Sequence, residues 1–310
     1  MKAIRFHSHG DSGVLVREEV DRPQAGPGQV VLQVAGAGFN PLDISIRMGV
    51  MKHIFDVALP HTPGIEVSGV IAETGEGVDG WAAGDAAIAY LQPAQPGSFA
   101  EYAAVPAELL TAAPAAVDLV DAAGLPVSAL TAHQSLFEHG GLKPGQRILV
   151  NGAGGGVGGI AVQLAVRAGA AVTATASARS AERTRSYGAD RIIDYTQSSV
   201  SKALEGEHFD LVLQLARTSP EENARLADLV ADGGVFVSTV PPGPESPGRG
   251  VRIAQVFSRS DAAQLAELVS AVDSGELKLD VSQRRPLAET AQVHDESAAG
   301  KLSGKTVLFP

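Results

Sequence analysis

The chain contains no cysteine at any of its 310 positions. Disulfides, thiol nucleophiles and thiolate metal ligands are excluded together. A reducing compartment fits such a chain, and cytoplasmic residence is the expectation, although a cysteine-free protein tolerates either redox setting. Long apolar runs are missing too. No stretch approaches the roughly 20 residues that span a bilayer. Positive charge is in deficit, with 24 Lys and Arg against 35 Asp and Glu and a net charge of −11. An acidic surface without a basic stripe repels phosphodiester backbones and anionic lipid heads, so neither nucleic acid nor membrane is an expected partner. The opening stretch MKAIRFHSHG has no apolar core after its lysine and reads as a strand, not a signal peptide.

What is present is ordinary for a globular protein: 45% hydrophobic and 19% charged residues, too apolar for disorder. The length exceeds the usual size of one core, which points to two domains. In the first third, QVVLQVAGAG (29–38), VSGVIAETG (67–75), GDAAIAY (84–90) and SFAEYAAVP (98–106) alternate with Gly, Pro and Asp clusters. This is the texture of a compact, mostly β domain. Near residue 118 it gives way to a helical stretch, ALTAHQSLFEHGGL.

From Arg147 strand and helix alternate. RILV (147–150) precedes a segment whose Val157, Ile160, Ala161, Leu164, Ala165 and Ala168 share one helical face. AVTATAS (171–177), RIIDY (191–195), FDLVLQL (209–215) and VFVSTV (235–240) read as buried parallel strands. Ser219-Pro220-Glu221-Glu222 combines an N-cap, a first-turn proline and a capping glutamate, and starts another helix. The pattern is a doubly wound α/β domain. PPGPESPGRG (241–250) is an expected surface loop, a last helix runs from Asp261 to about Asp273, and GKTVLFP forms a strand able to rejoin the first domain.

NGAGGGVGG (151–159) lies between a strand and a helix, the context in which glycine spacing carries weight. Glycines allow a tight turn and close backbone approach to a pyrophosphate at the helix start. Gly152, Ala153, Gly155, Gly156, Val157 and Gly158 are thus candidate cofactor-binding residues, against the alternative of a purely structural turn. The next strand discriminates between cofactors. An NAD site places Asp or Glu at its end for the ribose 2′-hydroxyl. Here the strand ends in Thr175-Ala176-Ser177-Ala178-Arg179, and the first acid is Glu182. Ser177 with Arg179 and Arg183 suits a 2′-phosphate, which selects NADPH. The alternative is that these arginines are solvated helix residues.

The chain resembles the medium-chain dehydrogenase/reductase superfamily in its zinc-free quinone oxidoreductase branch. The resemblance rests on GFNPLDISIRMG (38–49), LPHTPGIEVSGVIAETGEGVDGWAAGD (59–85), GSFAEYAAVP (97–106), LTAHQSLFEHGGLKPGQRILVNGAGGGVG (130–158), GADRIIDY (188–195) and SGKTVLFP (303–310). It implies a GroES-like catalytic domain (1–118 plus 276–310), an inserted Rossmann domain (119–275) that binds NADPH, and a deep cleft between them. Zinc-dependent relatives carry Cys where this sequence has Asn40 and His where it has Ile65, so Glu66 alone survives of the ligands, too few to hold zinc. Their four-cysteine lobe is also absent. The implied reaction is hydride transfer from NADPH to a quinone or the β-carbon of an enone or enal.

By the same resemblance Asn40 lies near nicotinamide and substrate and is a candidate hydrogen-bond donor to a developing oxyanion, or else a cap on the Asn40-Pro41 turn. Thr131 matches a contact near the nicotinamide and Tyr195 one near the adenosine phosphate. Val240 and Phe257, at the ends of late strands, would flank the nicotinamide amide. Asp43 and Glu66 read as structural. A homodimer paired through the late Rossmann strands, around VRIAQVF (251–257), is expected.

The chain also departs from the family. Val50-Met51 stands where several relatives carry a tyrosine proton donor, and VLQLARTSPEE replaces an Asp and Val-Gly motif at Gln214, Ala216 and Arg217. Two other readings therefore stay open: reduction of an enoyl thioester or biosynthetic intermediate, and an NADPH-binding sensor or interaction protein with little turnover.

Overall fold

The computed structural model describes residues 1–241 and 243–310; Pro242 of the expected Pro-Gly loop lies outside the described residues. β1 (Lys2–Arg5) and β2 (Val16–Glu19) form an antiparallel pair. β3 (Gln29–Gly38), α1 (Pro41–Arg47), β4 (Glu66–Thr74) and β5 (Ala86–Tyr90) follow. β6 (Tyr102–Pro106), β7 (Leu110–Ala112) and the short α2 (Leu119–Ala122) come next. α3 (Pro126–His133) runs into a π-helical stretch over Gln134–His139.

Strand and helix then alternate as the sequence implies. β8 (Arg147–Asn151), α4 (Gly156–Arg167), β9 (Ala171–Thr175), α5 (Ala178–Ser186) and β10 (Arg191–Ile193) make the first half. α6 (Val200–Ala203), β11 (Phe209–Gln214), α7 (Pro220–Asp228), β12 (Val230–Ser238) and β13 (Arg252–Gln255) make the second. α8 (Ala262–Asp273), β14 (Val281–Pro286), α9 (Thr290–Ala298) and β15 (Lys305–Phe309) close the chain.

Two compact units result, Met1–Val127 with Ser260–Pro310, and Ser128–Arg259. The boundaries thus fall at 127 and 260, where the sequence pointed to 118 and 276. Hydrogen bonds give the reason. Ser68 Oγ donates to Leu119 O, which holds α2 to the first unit. Thr111 Oγ1 donates to Ala262 O and the Ala116 N–H to Asp273 Oδ1, which hold α8 there as well.

The second unit carries a parallel sheet in the order β10-β9-β8-β11-β12-β13. This is the strand order of a doubly wound fold, and the direction of progression reverses at β8, where such sheets bind ligands beyond their carboxyl ends. Leu149, Val212, Phe236 and Leu226 lie in its core. Strands covered on both faces read as the near-continuous apolar runs seen in the sequence. α4 buries Ile160, Ala161, Leu164 and Ala165, the stripe that helical spacing selects. α7 begins where its cap does, since the Glu222 N–H donates to Ser219 Oγ and Pro220 fills the first turn.

The first unit holds a seven-stranded sheet in the order β14-β15-β3-β4-β5-β7, with β6 paired to β3. β15 returns antiparallel to β3, Val307 opposite Gly38, so the GKTVLFP tail does rejoin this unit. Leu32, Phe39, Ile71, Phe99 and Leu308 lie in its core.

Candidate functional site

In the second unit the chain leaves β8 at Asn151 and enters α4 through the N-cap Gly155. Gly152 has φ +106°, a conformation that side chains disfavour. Gly158 is fixed by packing, because a Cβ there would stand 2.2 Å from Gly152 O. Gly155 is different: an added Cβ would meet nothing nearer than 3.5 Å. Its φ of −88° suits any residue, and the glycine is exposed. The first N–H groups of α4 have no intrahelical acceptor and carry the positive end of the helix dipole. An open glycine surface leading into these donors fits a pyrophosphate.

The loop is anchored from the neighbouring strand. The Gly152 N–H donates to Thr175 Oγ1 at 2.9 Å, and the Thr175 hydroxyl donates to Asn151 Oδ1 at 2.8 Å. Neither Thr175 nor Asn151 is among the sequence-derived candidates. The available signal was a polar residue ending each of two largely apolar, largely buried strands.

Beyond β9, Ser177 is the N-cap of α5 but makes no side-chain cap bond, and Arg179 is exposed. Both are accessible at the carboxyl end of the strand that would carry an acid in an NAD site. Arg183 reaches the glycine loop. Its Nη2 donates to Gly154 O at 2.9 Å, so the guanidinium braces the glycine loop. Thr131 is buried and shares a 2.7 Å hydrogen bond with Ser258 Oγ. Tyr195 and Phe257 are exposed two residues beyond β10 and β13. The Val240 N–H donates to Ser238 Oγ at the end of β12. Tyr195, Val240 and Phe257 follow the carboxyl ends of parallel strands and so lie toward the same edge of the sheet as the glycine loop.

In the first unit Asn40, Asp43, Glu66 and Lys305 are all buried. Asn40 is the N-cap of α1 and forms a capping box with Asp43, which accepts the Asn40 N–H on Oδ2 at 2.8 Å. The Asn40 amide donates to Glu66 Oε1 at 2.9 Å and to Gly38 O at 3.3 Å, and its Oδ1 accepts from Lys305 Nζ at 3.0 Å. Both amide protons thus meet acceptors within the protein. Glu66 Oε1 also pairs with the Lys305 ammonium, and its Oε2 accepts the Val127 N–H. Burial pushes the Asp43 carboxyl up to about 7, against the pull of the Asn40 N–H and the Lys305 ammonium. Lys305 is the partner that sequence reading missed. Among the described residues no group of three or more His, Asp or Glu side chains is placed to hold a metal ion.

Comparison with known proteins adds a second line. The model for an alcohol dehydrogenase GroES-like domain matches residues 26–115, and that for a zinc-binding dehydrogenase matches residues 187–308. The chloroplast envelope quinone oxidoreductase homolog of Arabidopsis thaliana is 31% identical, over 100% of this chain and 98% of the relative. The chloroplastic NADPH-dependent alkenal/one oxidoreductase of the same plant is 32% identical, over 100% of this chain and 80% of that one. Among solved structures, Escherichia coli quinone oxidoreductase complexed with NADPH superposes with a TM-score of 0.89 at 25% identity, covering 100% of both chains.

Proposed function

Because the chain belongs to the quinone-oxidoreductase-like branch of the medium-chain dehydrogenase/reductase superfamily, we propose that it is an NADPH-dependent reductase acting on quinones or other α,β-unsaturated carbonyls, without zinc. The observation that carries this reading is the open glycine loop entering α4 beside an acid-free strand end, where Ser177 and Arg179 are accessible. When bound, the reduced nicotinamide supplies a hydride to the electrophilic carbon of the acceptor.

The chain's own share is binding and orientation. The exposed Gly155 and the first N–H groups of α4 would face the pyrophosphate, while Ser177 and Arg179 would hold the 2′-phosphate. Thr131, Val240 and Phe257 would lie toward the nicotinamide and Tyr195 toward the adenosine. Asn40 contributes by fixing the turn into α1. Glu66 has both oxygens engaged inside the protein, which supports a reaction independent of zinc. A quinone suits a site without an assigned acid, because the hydroquinone oxygens take their protons from water.

NADPH oxidation, followed by absorbance across quinones, enones, enals and enoyl thioesters with NADH in parallel, tests the reading. Consumption with quinones or enals, faster with NADPH and unchanged after dialysis against a chelator, is the expected result. Failure with every acceptor refutes it, and tight NADPH binding without turnover would favour a sensor instead. We also propose a homodimer paired through β13, an edge strand whose outer backbone groups have no strand partner among the described residues. Sedimentation as a monomer at micromolar concentration would remove that. Cytoplasmic residence is proposed on the absence of cysteine and is checked by cell fractionation.

A further inference from the structure

The stretch 214–217, where the chain leaves the pattern of its family, forms part of the wall of the glycine loop. A Cβ on Gly152 would meet Leu215 Cβ at 3.1 Å and Ala216 N at 3.2 Å. Gln214 closes β11 directly beside Asn151 of β8, and its side chain is fully buried. Its Oε1 accepts from Asn151 Nδ2 at 2.6 Å. Its Nε2 donates to Asn223 Oδ1 at 2.7 Å and to Thr218 Oγ1 at 3.0 Å. The Thr218 hydroxyl donates in turn to Asn223 Oδ1 at 2.8 Å.

Joined to the Asn151–Thr175–Gly152 contacts, these bonds make one chain. It runs across the carboxyl ends of three adjacent strands, from the first N–H of the glycine loop to α7. Asn151, Thr175, Gln214 and Asn223 are 2%, 1%, 0% and 8% exposed, so water does not substitute for a missing partner. Gln214 fills the middle by accepting on one side and donating two protons on the other. An amide does this and a carboxylate does not.

The amide is also uncharged. A carboxylate at this position would put a buried negative charge directly beneath a loop shaped for a pyrophosphate. The replacement of the family acid thus comes with partners that fit an amide.

We propose that Gln214 is a positioning residue for the dinucleotide, holding Gly152 and the entry to α4 in their binding shape through Asn151 and Thr175. The proposal rests on the dinucleotide reading of the loop. Buried groups left without a partner cost enough to disturb the loop they support.

The test measures NADP⁺ dissociation constants for the full-length protein, together with melting temperature and steady-state constants at saturating NADPH. Gln214→Leu is expected to weaken NADP⁺ binding about tenfold, with the acceptor KM and kcat unchanged. Thr175→Val, which cuts the chain at its other end, is expected to act in the same direction, and the double variant to lose less than the product of the two. Gln214→Glu adds a second readout. Its deficit relative to wild type is expected to shrink as pH falls from about 8 to about 6, because a buried carboxyl protonates readily and then resembles the amide.

Leu and Val variants that bind NADP⁺ within about twofold of wild type overturn the proposal. So does a loss in which the acceptor KM rises and kcat falls in step with a lowered melting temperature, which marks general loosening of the fold. A wild-type protein that binds no NADP⁺ removes the dinucleotide reading as well, and is distinguished because the failure precedes any substitution.

Discussion

Ser177 stands where an acid would select the unphosphorylated cofactor. Its hydroxyl is not spent on capping α5, and Arg179 beside it is exposed. Hydrogen bonds to charged groups contribute roughly 1.5–3 kcal/mol each. In the proposed site Ser177→Asp would replace such a contact with repulsion between a carboxylate and the 2′-phosphate, and would offer the NADH ribose a partner instead. The ratio of kcat/KM for NADPH over NADH is therefore expected to fall by roughly ten- to a hundredfold. Arg179→Ala is expected to lower the NADPH value while leaving that for NADH alone. Arg183 behaves differently, because its guanidinium holds Gly154 O. Its removal would loosen the loop for both cofactors. An unchanged cofactor ratio in Ser177→Asp would mean that the phosphate is held elsewhere.

The glycine loop and α4 act as one element, yet their glycines do different jobs. At Gly158 the helix approaches the loop so closely that a methyl group would collide with Gly152 O. Gly158→Ala is expected to destabilise the fold by about 1–3 kcal/mol and to weaken NADPH binding as well. At Gly155 the backbone is unstrained and the space open, so Gly155→Ala is expected to keep stability within about 0.5 kcal/mol. It should still weaken NADPH, because its methyl group would stand where the proposed site brings the pyrophosphate. Denaturant unfolding and cofactor titration of the two variants separate packing from binding. Equal behaviour of the pair would contradict the assignment.

This loop was legible in the sequence because its signals are local: a strand, glycines and an apolar stripe within about 20 residues. The central strands β8, β9 and β11 were legible for the same reason. β14 was not, since VSQRRP has neither an apolar run nor an alternating one, and it forms by pairing with β15. The polar cluster around Asn40 was beyond reach. Its partners lie 26 and 265 positions away, and only the return of β15 to β3 brings Lys305 to Glu66. Gln214 stood out as a departure from its family, while the partners that explain it became visible only in the folded sheet.

Three buried titratable groups of the first unit give the whole molecule a pH signature. Burial pushes His61 down to about 4, with His9 adding to the shift. It pushes His294 down to about 3, where the Arg47 guanidinium also disfavours a second cation and Asp295 opposes. Asp43 moves the other way, up to about 7. Between about pH 4 and 6.5 the unfolded chain protonates both histidines, whereas the folded chain protonates neither but keeps the proton on Asp43. The unfolded state thus binds one more proton through these groups, and stability rises with pH by about 1.4 kcal/mol per unit. Above the ordinary histidine value of 6.5 only Asp43 still differs. Its contribution, fully present below the ordinary carboxyl value of 3.8, is lost as pH rises through about 7. The three groups together therefore place a stability maximum near 6.5. Other groups add their own slopes, so the comparison between proteins isolates each term. His294→Phe, which preserves the packing against Phe39 and Phe99, is expected to flatten the acid limb by one proton. Asp43→Asn is expected to steepen that limb by one proton and to abolish the decline above the maximum. Urea unfolding at a series of pH values reads both, and parallel curves for wild type and His294→Phe would show that His294 stays protonatable in the folded core.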